Sequence, residues 1–299
     1  MIPFFDEPDV RAALSWKELI PAMAEALVDF SAGRVNQPVR SVLTLEESRR
    51  YLGIMPAAME GALGMKVVSF YPKNAGTAVP THMALVLLFR PETGEPLAVM
   101  DGRLITEMRT AAVSAAVTDR LAAPDSHVLA LLGSGVQAKA HLEALSHVRK
   151  FDEVRVWSRT REHADRFAEE TGARATDVES AVRGAHVIVT ATSASAPVLK
   201  GAWLKPGAHV NAVGACIPTW RELDNEAMAN TVVVDSREAV LKESGDVILS
   251  KAEIYAEAGE ILAGTKAGPV SQTTIFKSVG IAAEDLAAGM LVLKKLPRK

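Results

Sequence analysis

The sequence predicts an α/β protein in which a doubly wound parallel sheet is joined to a smaller α+β unit. Three observations lead there. Residues 128–142 read VLALLGSGVQAKAHL, an apolar run, a glycine-rich turn and the start of an amphipathic helix. After Pro124 and Asp125, five short apolar runs (HVLALLG, EVRVWS, AHVIVTA, AHVNAVG and TVVVDS) are mostly separated by helical or loop segments. Their continuous apolar texture is that of parallel strands covered on both faces. Residues 38–100, in contrast, carry the β-branched runs VRSVLTL, MKVVSFY, ALVLLF and PLAVM, which predict an antiparallel sheet.

The remaining elements follow in chain order. Residues 15–32 have apolar positions at helical spacing, with Ser15 as N-cap candidate and Gly33 as the stop. Pro91-Glu92-Thr93-Gly94 falls between two β-branched runs and reads as a hairpin loop. Residues 106–121 form a small-residue helix leading to a hinge at Pro124-Asp125. Residues 274–295 read as one long helix that returns to the first unit and makes it discontinuous. The expected domains are therefore residues 1–110 with 276–299, and 111–275.

Composition narrows the function classes. The chain has 299 residues, 48% hydrophobic and 23% charged, the make-up of an ordinary globular protein with room for two cores. A net charge of −3 without a basic stripe argues against nucleic acid as a partner. No run reaches the ~18 apolar residues of a membrane span. The sole cysteine, Cys216, leaves no internal disulfide, and the acidic N-terminus is unlike a signal peptide, so the cytoplasm is the expected location. The histidines show no ligand-like spacing, and no metal site is expected.

The glycine turn supplies the first functional inference. Gly133 permits a tight turn, Gly135 lets backbone N–H groups approach a pyrophosphate, and Ala138 takes the third small position of the G-x-G-x-x-G/A pattern. Strand, turn and helix in this order predict a Rossmann-type dinucleotide site that includes Ser134, Val136 and Gln137. About 20 residues further on, where an acidic residue would hold a ribose 2′-OH, stands Ser158-Arg159-Thr160. Without a carboxylate there, Arg159 can pair with a 2′-phosphate, and the flanking hydroxyls supply neutral donors. NADPH is the expected cofactor, with NADH weaker. A plainer account makes Arg159 a solvated loop charge and Thr160 an N-cap.

Several dispersed stretches then fall into one pattern. Gln37-Pro38-Val39-Arg40, Gly53-Ile54-Met55-Pro56, Lys66, Arg109-Thr110-Ala111-Ala112, Gly133-Ser134-Gly135-Val136-Gln137 and Asn211-Ala212-Val213-Gly214 resemble the ornithine cyclodeaminase/mu-crystallin family across nearly the whole chain. VMDG at 99–102, WRELD at 220–224, LKESGDV at 241–247 and TIFKS at 274–278 are most similar to its ketimine-reducing branch. The resemblance implies a homodimer whose first domain forms the dimer sheet and much of the substrate pocket. It also implies a small amino acid or imine substrate lying against the nicotinamide.

Residue by residue, the resemblance assigns Arg40, Lys66 and Arg109 to a cationic clamp for a substrate carboxylate. Arginine suits a bidentate grip, and lysine can also donate a proton. From pattern alone, Arg40 fits a surface ion pair equally well, whereas Lys66, inside an apolar strand, requires a partner. Lys66 and Arg109 form the catalytic set. Arg40, Met55, Phe70, His82, Cys216 and Trp220 form the substrate-binding set. Thr110, Thr190, Thr192 and Val213 join the glycine turn and residues 158–160 as cofactor contacts. His82 is a pocket or proton-relay candidate, and Phe70 and Trp220 are candidate pocket walls, though aromatic residues at strand ends are more often core.

Cys216 discriminates among activities. In the resemblance it stands where cyclodeaminases carry an aspartate that acts on the substrate amine. A thiol with an ordinary pKa of ~8.5 does not replace a carboxylate base at neutral pH. Reduction of a preformed imine needs a hydride and a proton donor but no such carboxylate. The expected activity is NADPH-dependent reduction of ketimine carboxylates to L-amino acids. Ornithine or lysine cyclodeamination, alanine-type dehydrogenation and NADPH-dependent thyroid-hormone binding are the alternatives.

Overall fold

The computed structural model describes residues 2–46 and 50–296. The chain divides into two compact units: Met1–Arg109 with Ile281–Lys299, and Thr110–Gly280.

In the first unit the described strands are β1 (Phe4–Phe5), β2 (Ser41–Glu46), β3 (Arg50–Met59), β4 (Ala62–Phe70), β5 (His82–Phe89) and β6 (Pro96–Asp101). They lie in the order β1-β6-β5-β4-β3-β2. Strands β2 to β6 run antiparallel, and β1 adds in parallel to β6. The 91–94 loop closes the β5–β6 hairpin, with the Gly94 N–H donating to the Arg90 carbonyl at 2.8 Å. Alternate residues of β4 are buried, which sets its even-numbered positions on one face.

Met55, Ala57, Val68, Phe70, Val86, Leu88, Ala98 and Met100 make that face the core. It packs against helix Ala282–Lys295, which also lies on helix Trp16–Ser31. The latter buries Leu19, Met23, Ala26 and Leu27, a stripe at helical spacing. Leu19, Met23 and Leu27 each contribute about 1.5–3 kcal/mol by leaving water. Ser15 takes the N-cap position, but its hydroxyl donates to the Glu18 carboxylate instead of capping the backbone.

Two elements differ from expectation here. Strand β3 was not among the expected runs, because Gly53 and Pro56 interrupt its β-branched texture. The expected single helix over 274–295 is instead a strand, Thr274–Lys277, a turn, and helix Ala282–Lys295. Gly280 has φ +81°, which ends the turn before the helix begins. Asp235 holds that turn by accepting from the Val279 and Gly280 amides at 2.7 and 2.6 Å and from the Ser278 hydroxyl at 2.8 Å.

In the second unit the described strands are β7 (Val128–Leu132), β8 (Glu153–Trp157), β9 (Arg174–Ala175), β10 (Val187–Thr190), β11 (His209–Ala212), β12 (Thr231–Val234), β13 (Ile254–Glu257) and β14 (Thr274–Lys277). The sheet is parallel throughout, in the order β13-β12-β14-β11-β10-β7-β8-β9. Strands β7, β10, β11 and β14 are buried at every residue, as a two-sided core requires. β14 sits between β11 and β12, so the segment expected to begin a helix is a central strand. Helix Gly102–Leu121 carries the boundary between units and starts at Gly102, not at Thr106.

Candidate active site

In the second unit the chain reverses strand order beside β7: β8 lies on one side and β10 on the other. In open α/β sheets such a switch point leaves a crevice at the carboxyl ends of the strands, where ligands bind. Gly133 follows β7 with φ +119°, and a Cβ there would come within 2.5 Å of the Ala191 carbonyl after β10. Only glycine fits that close approach.

Gly135 caps helix Val136–Leu145 without a side-chain bond, and a Cβ on it would meet nothing within 4 Å. Val136 is 60% exposed, and the buried Gln137 Oε1 has no hydrogen-bond partner. An uncapped helix N-terminus, an open glycine and an unmet acceptor fit the pyrophosphate and polar edge of a dinucleotide. Ser134 is half-buried in the same turn. Below it, buried His141 joins the Gln137 carbonyl (2.7 Å) and the Ser114 hydroxyl (2.9 Å), and burial lowers its pKa to about 4. His141 is thus a neutral support for the helix.

Ser158, Arg159 and Thr160 follow β8 at the same carboxyl edge. Arg159 and Thr160 are exposed, and Thr160, the N-cap of helix Arg161–Thr171, makes no side-chain cap bond. Thr190 ends β10, Thr192 lies just beyond it, and Val213 follows β11. Thr190 is fully buried, and its hydroxyl donates to Glu222 at 2.8 Å. This departs from the expected cofactor contact, since the side chain is committed beneath the surface. Thr192 donates to the other Glu222 oxygen through its amide and its hydroxyl, at 2.6 and 2.7 Å. The Gly214 amide completes the set at 2.9 Å.

Glu222 thereby ties the loop after β10 to the loop after β11. Its own amide and that of Leu223 donate to Asp246 at 2.8 and 2.9 Å. Lys277, at the end of β14, pairs with Asp246 at 3.1 Å and donates to the Gly214 carbonyl. Burial pushes the Glu222 carboxyl up, partly offset by the Lys277 charge. Burial alone would lower Lys277, but Asp246, Cys216 and Glu222 raise it overall. Cys216 is half-buried in this loop, its thiol 3.7 Å from the Val213 and Gly214 carbonyls, and it follows Ala215, held at φ +49°. Trp220 is half-buried further along, its backbone amide donating to the Ile217 carbonyl at 3.0 Å.

The first unit gathers the expected cations. Lys66 and Met55 are direct partners across β3 and β4, and Phe70 and His82 are partners across β4 and β5. All four lie on the core face of the sheet. Lys66 is 2% exposed and meets the fully buried Asp285 carboxylate at 2.8 and 2.9 Å. Arg109 donates from Nε to Asp285 at 3.1 Å and from Nη1 to Glu284. Burial, and then the charge of Arg109, lower the Lys66 pKa to about 8 despite Asp285; the Arg40 charge adds to the effect. Arg40 is thus near enough to act on Lys66, while Thr110 opens the second unit.

The His82 ring lies 4.4 Å from that of Phe70. Part of the residue faces solvent, yet packing around the ring and then the Lys66 charge favour the neutral imidazole. Among the described residues, no group of three His, Cys, Asp or Glu is placed to hold a metal ion.

The model of the ornithine cyclodeaminase/mu-crystallin family matches residues 4–299. The chain belongs to that family. Ketimine reductase mu-crystallin from Mus musculus is 53% identical over 283 residues, 92% of this chain and 90% of the relative. Δ1-pyrroline-2-carboxylate reductase from Thermococcus litoralis, solved with NADH and L-proline, has a TM-score of 0.93 at 35% identity, covering 98% of this chain and 97% of that one. An archaeal alanine dehydrogenase dimer with bound NAD has a TM-score of 0.91 at 34% identity, covering 98% and 95%.

Five charged residues of this ornithine cyclodeaminase/mu-crystallin family member escaped residue-level reasoning: Glu222, Asp246, Lys277, Glu284 and Asp285. The first three lie inside motifs that marked the resemblance but received no role. The last two form an acidic pair inside the apolar stretch SVGIAAEDLAAGMLVL, and that isolation was the available signal.

Proposed function

We propose that this chain is an NADPH-dependent ketimine reductase that converts imines bearing an adjacent carboxylate into L-amino acids. The best substrates are Δ1-piperideine-2-carboxylate and Δ1-pyrroline-2-carboxylate, with N-alkyl imines of 2-oxo acids as further candidates. The buried Lys66–Arg109 cluster is the observation that carries this proposal, in a chain 53% identical to a ketimine reductase. Two cations held within an apolar core are costly unless a charge or a reaction uses them.

When bound, the reduced nicotinamide supplies the hydride. Arg40 and Arg109 bind and orient the substrate carboxylate. Lys66 holds a proton at Nζ and keeps the imine nitrogen protonated, so that the α-carbon is electrophilic. The carbon gains the hydride, the C=N bond becomes C–N, and the net reaction consumes one proton. The loop after β11 offers the Cys216 thiol in place of a carboxylate, which supports reduction over deamination.

The preference for NADPH rests on Ser158-Arg159-Thr160, an exposed cation with flanking hydroxyls and no acidic residue. The first unit also supports a homodimer. Pro56, Met65, Leu87, Val99 and Phe4 form one row across its sheet, and Ile54, Val67 and Leu85 another that continues to Asp101, on the face opposite the core. Phe4 is 54% exposed and Leu85 43%, an apolar sheet face that a second copy of this chain would cover. We place the enzyme in the cytoplasm on its single cysteine; no described helix is long and apolar enough to cross a membrane. Loss of NADPH absorbance on adding either cyclic imine tests the activity, and ammonia release from ornithine without added cofactor would indicate a cyclodeaminase instead.

A further inference from the structure

The C-terminal helix brings two fully buried carboxylates to the cationic cluster, and neither has a place in the reaction as proposed. Glu284 and Asp285 occupy the first turn of helix Ala282–Lys295, where negative charge is favoured by the helix dipole. That turn is fixed from outside: the Ala283 amide donates to Gln37 Oε1 at 3.0 Å. Gln37 lies three residues before Arg40, so one hydrogen bond ties the Arg40 segment to the helix that carries both acids.

Asp285 touches both members of the catalytic set. One of its oxygens lies 2.9 Å from Lys66 Nζ and 3.1 Å from Arg109 Nε; the other lies 2.8 Å from Lys66 Nζ. Glu284 pairs with Arg109 as well. A carboxylate needed only to neutralise Arg109 would not have to reach Lys66, because Glu284 already pairs with that guanidinium. The geometry points to Asp285 as a positioning residue: it fixes Lys66 Nζ in place and keeps it protonated, while aligning Arg109 beside it. This inference rests on the imine-reductase function proposed above.

Among the described residues, charged or titratable groups act on Lys66 from four segments of the first unit. Helix Ala282–Lys295 contributes Asp285, with Glu284 beside it on Arg109; helix Gly102–Leu121 contributes Arg109; the segment before β2 contributes Arg40; β5 contributes His82. His82 favours its neutral form, so Asp285 is the group acting directly on Lys66 that favours its charged form. Arg109 and Arg40 act the other way. Removal of the Asp285 charge therefore makes Lys66 release its proton at lower pH.

The test compares Asp285→Asn and Asp285→Glu with the wild type, using the pH profile of kcat/KM for imine reduction and the 15N chemical shift of Lys66 Nζ. Melting temperature and NADPH affinity are measured alongside. Asp285→Asn is expected to move the alkaline limb down by at least one pH unit and thereby to lower kcat/KM about tenfold or more at pH 9, with NADPH affinity kept. Asp285→Glu, which retains the charge, is expected to restore most of the limb. A uniform loss at every pH, with an unmoved Lys66 titration and no rescue by glutamate, would reduce Asp285 to a purely structural residue and overturn the proposal. An inactive wild type whose Lys66 titration still shifts in Asp285→Asn would count against the reductase function while retaining the Asp285–Lys66 coupling. If Asp285→Asn fails to fold, the Asp285→Glu titration and pH limb decide: values matching the wild type support the coupling, and a limb displaced as far as one pH unit despite the retained charge contradicts it.

Discussion

The buried Glu222 carboxylate and the Thr192 backbone amide lie 2.6 Å apart, and this bond joins the loops that follow β10 and β11. Thr190, the Thr192 hydroxyl and Gly214 supply three more bonds to the same carboxylate. The backbone at the carboxyl edge of the sheet is therefore set by one side chain from a distant loop. A carboxylate with four donors cannot be replaced by an amide without losing at least one of them.

Glu222→Gln is accordingly expected to destabilise the protein by about 1–3 kcal/mol, the range for a buried donor left unmet. It is also expected to weaken NADPH binding, since Thr192 and the Val213–Gly214 backbone would lose their common anchor. Urea denaturation and a fluorescence titration with NADPH check the two effects separately.

Cofactor choice turns on the end of β8. Ser158→Asp places a carboxylate where it can accept from a ribose 2′-OH and repel a 2′-phosphate. The NADPH/NADH ratio of kcat/KM is expected to fall at least tenfold, about 1.4 kcal/mol, and an unchanged ratio would remove Ser158-Arg159-Thr160 from the specificity determinant.

The lowered pKa of Lys66 gives the reaction a pH signature. Burial and Arg109 bring it to about 8, so the protonated form required by the reaction is present below that pH and lost above it. The kcat/KM of the wild type is expected to decline as pH rises through about 8. Lys66→Ala is expected to lose that limb and to lower kcat/KM at least tenfold, about 1.4 kcal/mol of transition-state stabilisation. A profile flat from pH 7 to 9.5 would deny Lys66 its proton-holding role.

Assembly can be tested independently of chemistry. Leu85 is 43% exposed and lies in one row with Ile54 and Val67, which continues to Asp101 at the β6 side. Leu85→Glu is expected to convert a dimer to monomers in light scattering, because an unpaired charge is costly at the centre of such a contact. A monomeric wild type would refute the dimer outright.

What was legible in the sequence follows from how local each signal is. The glycine turn, the parallel strands of continuous apolar texture and the 91–94 hairpin each state their structure within about ten residues. β14 was not legible: Thr274–Lys277 is four residues long and runs almost directly into a helical pattern. β3 was hidden by Gly53 and Pro56. In the site, the cations could be found from their motifs, but their partners could not. Lys66 and Asp285 are 219 residues apart, and a pairing over that separation leaves no periodicity to read. Thr190 illustrates the converse, since the resemblance assigns it a cofactor contact, while the bond of its hydroxyl to Glu222 depends on a residue 32 positions away.

The central claim is tested most directly by mixing the purified protein with NADPH and Δ1-piperideine-2-carboxylate and following both NADPH and the product. Stoichiometric oxidation of NADPH with formation of the L-amino acid is the predicted result. NADPH that binds but is not oxidised, with this imine and with Δ1-pyrroline-2-carboxylate, would contradict it.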